Sequence, residues 1–555
     1  MSDPRSTDAP ELAPSSRSAV LPPIQAHSCF LFYPLQGAEF SKAPAQCLGD
    51  LRSAPSETSD HPNAGGWLAD DMLQTIDGKR VDWPVWEPAT LSLGNDLHPH
   101  VQRLVGGREP TGTATLDPSL GNHAQVFRLT EGARKLVAGK RLAYEPAMPK
   151  EMRRPHRLML ELSSTAHERI QRQVSDWSER PVEVAVLDLH YIVFRTGFAF
   201  LIAEVRFGGE EGVLAPEVLN EALYSLARIN RLTWWRADGT ALDASPAFSL
   251  ATLARGLIGK PAGGRAERVF TATYLQFETR PDAAELERLL VRLSRHYTAD
   301  YHLRDALPGT ERVTHFENVT HVFTLEGCAS AVDLGGYPSG AAPEFLQNYL
   351  SVTYRGHYLP IVLLAHHEFC FLLHLTNDAS FWPDPARFAA DRERMIAMRQ
   401  DIANFRLCFS FSYVSRISMH NAVNAALRRA LGLDAMLSEL GRDTAEIDAL
   451  LERTAAREAA TRAHRNERRF RWASVIGVFG ITWLTTHTLF KEALELPLMH
   501  ALLHLGHDQV GLVAGGIALI VSLVAAILTG VRGSADHGHL AQHAVQDNVI
   551  HQAGH

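Results

Sequence analysis

Ser474, Gly477, Ile481, Thr485 and Thr488 recur at spacings of three, four, four and three residues. On an α-helix that spacing sets them in a single stripe. Repeated around a symmetric bundle, the stripe would give rings of hydroxyls able to hydrogen-bond the water shell of a passing ion. Ile481 would add one apolar ring, a gate by dewetting. Mg²⁺ dehydrates reluctantly, so hydroxyl rings suit a hydrated ion better than a tight cage. The alternative is structural, with Ser and Thr bonding to backbone carbonyls or holding neighbouring helices together. Thr486 and His487 close the same apolar run in the sequence TTHT. That end fits a pore mouth, where His487 would repel cations when protonated or ligate a metal, and it also fits an interfacial anchor.

His500, His504 and His507 fall at i, i+4 and i+7 with Asp508 adjacent. Imidazoles at that spacing on a helix can share a divalent transition metal, whereas an amphipathic interfacial helix is the plainer reading. His366, His367, Glu368 and Cys370 are also ligand types, but LPIVLLAHHEFCFLLHL (359–375) reads as a β-hairpin turning at His366-His367-Glu368. Alternation in a hairpin sends neighbours to opposite faces, so no metal site is expected there. His537, His539, His543, His551 and His555 suggest metal capture or an unstructured tail. No HExxH, GxSxG, CxxC or P-loop lysine is present, and no enzyme activity is expected.

The stripe needs a helix in an apolar setting, and the chain supplies one. Trp472–Phe490 runs 19 residues, and Val510–Val531 runs 22, without Lys, Arg, Asp or Glu. Each is long enough to cross a hydrocarbon core of roughly 30 Å; buried helices of a soluble core are the alternative. Gly511 and Gly515 permit close helix approach. Arg453–Arg471 carries seven arginines against two glutamates, while Lys491–Gln509 has one lysine against three acids. The positive-inside rule then puts both termini in the cytoplasm, the loop 491–509 outside, and the chain in the cell's inner (plasma) membrane as a two-span protein. Arg465, Arg468, Arg469 and Arg471 form a collar for anionic lipid headgroups, or a positive ring at an inner mouth that disfavours cations.

The rest is a soluble body. A formal charge of −8 excludes a dedicated nucleic-acid binder, and five scattered cysteines read as reduced thiols. Residues 1–26 read as a disordered leader. Residues 27–380 read as an α/β domain with a mixed sheet, having a strand at Cys29–Leu35 and a hairpin over Val182–Phe207 broken at Thr196-Gly197. A helix follows at Ala215–Asn230, and a strand-helix unit at Arg268–Tyr297. Residues 381–471 read as a wholly helical stalk, N-capped by Asp384 before Pro385, with a break near Gly441 recapped by Asp443 or Thr444. Met395, Met398, Ile402, Phe405 and Phe409 make a coiled-coil-like seam that asks for a partner, most economically other copies of the chain. Residues 472–531 form the membrane hairpin and 532–555 the tail.

This order of α/β domain, long stalk helix, basic collar, two C-terminal spans and short outer loop resembles the CorA-like divalent cation channels, over roughly Val182 to Arg532. The resemblance implies a homopentamer, with Trp472–Phe490 lining the pore, the second span forming an outer ring, and the cytosolic domain sensing a small-molecule regulator or a cation such as Mg²⁺. The family's Gly-Met-Asn tripeptide at the outer end of the first span is absent, and TTHTLFKEALELP stands in its place. Divergent members without it occur as effectors in antiviral defence. A membrane-anchored effector or sensor, whose cytosolic domain binds a small-molecule or protein signal, is the alternative expectation.

Overall fold

The structure is a computed structural model that describes residues 21–36, 85–105, 123–138, 156–208, 213–229, 231–236, 239, 248–258, 269–301, 303, 307–338, 341–380, 388–494, 509 and 512–528. The chain divides into two compact units, Met1–Gly441 and Arg442–His555.

The first unit is built on a mixed sheet of eleven strands. They are β1 Ala26–Gln36, β2 Trp86–Ala89, β3 Ala124–Leu129, β4 His156–Leu160, β5 Val182–Phe194, β6 Phe198–Phe207, β7 Leu232–Arg236, β8 Phe270–Phe277, β9 Glu311–Phe316, β10 Val319–Phe323 and β11 Gly327–Asp333. The order is β2-β3-β5-β6-β1-β8-β11-β10-β9, with β4 joining β5 to β7. All pairs are antiparallel except β8 with β11. That parallel pair needs a crossover, supplied by helix Ala283–Arg295. Asp282 caps this helix by accepting from the amides of Ala284 and Glu285.

Both faces of the sheet are covered, which is why its central strands are apolar at nearly every position. In β1, Cys29, Leu31, Tyr33 and Leu35 enter one core, while Phe30 and Phe32 enter the other. The β5–β6 hairpin turns at Gly197, where φ is +82°, a left-handed conformation in which glycine carries no Cβ penalty. Ile24 is buried and bridges to Leu214, so packed chain includes part of the segment expected to be a leader.

Two expectations are overturned. Leu359–Leu375 is not a hairpin: Leu359–Ser380 is one α-helix, entered from a π-helix at Tyr349–Tyr358. Apolar on almost every side, the segment has no period to tell buried strand from buried helix, and its polar trio marks no turn. The region after residue 388 is also not wholly helical, and its break does not fall near Gly441. Helix Phe388–Cys408 ends in a non-helical stretch, helix Ser418–Leu431 follows, and Gly432 breaks the chain at φ +68° before helix Leu433–Leu494. The break falls at Gly432 because it closes the preceding helix in the left-handed conformation, its N–H bonded to the carbonyls of Arg428 and Arg429. Gly441, Asp443 and Thr444 lie inside the long helix, and Asp384 and Pro385 lie outside the described residues. Met398, Ile402, Phe405 and Phe409 are buried in the core of the first unit. These four find their contacts within the chain, and the side chain of Met395 lies outside the described residues.

Candidate functional site

Trp472–Phe490 lies within helix Leu433–Leu494, as the sequence predicts. Among the described residues two helices are long and apolar enough to cross a membrane: Glu452–Ala493, none of whose most apolar window is buried, and Tyr349–Asn377, 67% of whose window is buried. A shorter apolar helix, Leu512–Leu528, covers the described part of the second expected span.

In the second unit the long helix meets this shorter helix along one face. Val478, Thr482, Trp483, Thr486 and His487 are half-buried there. Gly515 faces this contact: a Cβ at that position would lie 3.9 Å from both the Trp483 and His487 rings, an ordinary van der Waals distance. Ala514, Ala518 and Ser522 are fully buried on the same shorter helix. Ser474, Gly477, Ile481, Thr485 and Thr488 are all exposed. Helical spacing puts them on the face away from that contact.

The structure therefore separates the predicted residues. The stripe is one exposed surface, whereas Thr486 and His487 turn toward the neighbouring helix, with His487 stacked on Trp483 at 6.1 Å. The Thr485 hydroxyl donates to the Ile481 carbonyl at 2.7 Å, and Thr488 likewise donates to the carbonyl of Leu484. These are the backbone bonds of the structural reading, and they consume only the donor: each hydroxyl oxygen still has lone pairs for water. In the collar, Arg465, Arg468 and Arg469 are exposed, and Arg471 pairs with Glu467 at 2.8 Å one helical turn away. His500, His504, His507 and the tail histidines lie outside the described residues. Among the described residues no cluster of three ligand-type side chains is arranged to hold a metal.

The second site is one that sequence reasoning missed. Because Leu359–Ser380 is a helix, His366, Cys370 and His374 stand on one face, while His367 and Glu368 point elsewhere. His366 and His367 are 5% and 0% exposed, and burial pushes both imidazoles down to about 3, so they are neutral. His367 lies flat on Phe194 at 4.0 Å, and its Nε2 meets the Thr196 hydroxyl at 2.8 Å. Glu368 is buried and accepts from Ser410 Oγ at 2.9 Å and from Arg428 Nη1 at 2.6 Å. Burial pushes the Glu368 carboxyl up, against the opposing pull of Arg428. Arg428 also donates to Asp434 at 2.7 Å, in the first turn of the long helix. One buried arginine thus ties the core helix to the base of the long one. Ser410, Arg428 and Asp434 are too distant from Glu368 in sequence for local spacing to announce the network.

No family model matches the chain, and no curated protein or solved structure is significantly similar to it.

Proposed function

We propose that this protein is a homo-oligomeric ion channel or transporter of the inner membrane, carrying divalent cations such as Mg²⁺ and gated by its cytosolic unit. In this reading both termini are cytoplasmic, five copies surround an axis, and the collar sits among lipid headgroups at the inner mouth. The observation that carries it is the exposed stripe of Ser474, Gly477, Ile481, Thr485 and Thr488, on the face of the long helix opposite its contact with Leu512–Leu528. A ring of such hairpins with the shorter helix outward would turn the stripe to the axis. A hydrated cation presents water hydrogens outward, and threonine oxygens whose own protons are held by the backbone are suited to accept them.

The test is flux. Purified protein in liposomes should pass Mg²⁺, Co²⁺ or Ni²⁺ saturably, and Thr485→Leu should cut that flux at least tenfold. No flux of any ion, from protein shown to be folded and inserted, would overturn the pore. The second reading, a membrane-anchored effector or sensor, would then take its place. A cavity in the soluble unit favours that reading independently.

A further inference from the structure

We infer that the soluble unit binds a small, planar aromatic molecule without negative charge in a cavity at one end of the central sheet, and that occupancy is felt at the base of the long helix. The site can be tested whether the apolar helices conduct ions or only anchor the protein.

The cavity holds about 420 Å³, within the range of small-molecule sites. Its walls come from the ends of β1, β6 and β8, the β10–β11 turn and the core helix. Flat rings dominate. Phe270 and His366 stack at 4.6 Å with their planes 26° apart, and Phe369 lies nearly parallel to His366 at 6.2 Å. Phe198 meets His374 edge-on at 5.7 Å. Offset or edge-to-face contact with such faces rewards a flat guest. Gln36 Nε2 and His374 Nδ1, 2.7 Å apart, put a polar edge at one side.

The charge distribution selects against anions. His366 and His296 are neutral because burial pushes them down to about 3 and about 4. Of the full charges lining the cavity, Arg228 is exposed, whereas Glu326 is half-buried and its Oε2 is a buried oxygen with no hydrogen-bond partner among the described residues. An anionic guest would give up its water beside that carboxylate, whereas a ring N–H can donate to the unpartnered oxygen.

The same helix makes the outward connection. His366, Phe369, Cys370 and Leu373 line the cavity, while Glu368 on the same turns grips Arg428, and Arg428 grips Asp434. A guest that shifts this helix must move a buried ion pair or carry it along, and the second partner of that pair stands in the first turn of Leu433–Leu494.

Indole is the probe, with indole-3-acetate as an anionic version of the same ring. Calorimetry on the full-length protein in detergent should give one saturable indole site with Kd below about 1 mM, and indole-3-acetate should bind at least tenfold more weakly. Leu373 lines the cavity and is 44% exposed, so Leu373→Trp should fill the space without unfolding. That variant should lose indole binding while keeping its circular dichroism and melting temperature. Hydrogen exchange at Leu433–Leu440 should slow with indole in the native protein, and the effect should vanish in Asp434→Asn with binding retained. No saturable indole binding, equal binding of indole-3-acetate, or unchanged binding by Leu373→Trp would overturn the site. An exchange response absent from the native protein or kept by Asp434→Asn would overturn the coupling. Flux without indole binding would sink this site and leave the pore standing; binding without flux would do the reverse.

Discussion

Two helices of nearly equal hydropathy, Tyr349–Asn377 and Glu452–Ala493, have opposite fates. The first is wrapped by the sheet and by helices Phe388–Cys408 and Ser418–Leu431. None of the most apolar window of the second is buried. Length and apolarity do not separate them; their polar residues do. In the core helix two polar groups find partners far off in sequence, His367 with Thr196 and Glu368 with Ser410 and Arg428, while His366 meets Cys370 at 3.7 Å and Thr376 donates to the Leu372 carbonyl within the same helix. In the exposed helix the Thr482 and Thr485 hydroxyls turn back to their own backbone, an arrangement that a bilayer would tolerate. The long-range partners of His367 and Glu368 are what set the core helix apart.

The same substitution in both helices should give the largest and most opposed effects. Leu363 is 1% exposed and Leu484 is 72% exposed. Leu363→Asp buries an unpaired carboxylate and should unfold the first unit, read as loss of the cooperative thermal transition in circular dichroism. Leu484→Asp should leave that transition in place and instead weaken membrane integration by about 2.5–3.5 kcal/mol, read by carbonate extraction of membranes. Reversed outcomes would mean that the roles of the two helices have been exchanged.

A smaller contrast comes from the ion pairs. Glu368→Ala strands Arg428 in the core and should cost about 3–5 kcal/mol in chemical denaturation. Glu467→Ala opens the exposed pair with Arg471 and should cost no more than about 0.5 kcal/mol. Similar costs for the two would contradict the burial of Glu368.

The gentlest probe is pH. His366 and His367 are held near 3 in the fold against an ordinary value of 6.5. Between those values the unfolded chain takes up protons that the folded chain refuses. Stability is therefore full above about 6.5 and falls as pH drops toward 3, by up to about 1.4 kcal/mol per pH unit for each residue. Glu368 is raised and works in the opposite sense just above its ordinary value, softening the fall. Denaturation midpoints at pH 7 and pH 5 should differ accordingly, and His366→Phe should flatten the difference.

Elements with a local signature were legible in the sequence. The β5–β6 hairpin had Thr196-Gly197 between apolar runs, helix Ala283–Arg295 had Asp282 to start it, and Trp472–Phe490 had its length. The core helix was misread because burial on all sides erases periodicity. Gly432 was passed over for Gly441, since only the fold shows which glycine takes the left-handed conformation. His487 was assigned with its neighbours to a mouth, although one residue is 100° of helical turn. The cavity and the Glu368–Arg428–Asp434 link are assembled from well-separated segments, and no window of sequence contains them.

The central place of β1 has a consequence for how the protein is made. Cys29 pairs with Val205 on one side and Thr273 on the other. At 5–20 residues per second, synthesis needs roughly tens of seconds to bring the second partner out of the ribosome. Through that interval an early strand, apolar on both faces, waits with at least one edge unpaired, a natural substrate for a chaperone and a hazard without one. The last sheet strand, β11, ends at Asp333, well before Trp472 is translated. The order of synthesis lets the sheet close before the most exposed apolar helix reaches any membrane, so a delay in pairing β1 would be inherited by every later step of assembly.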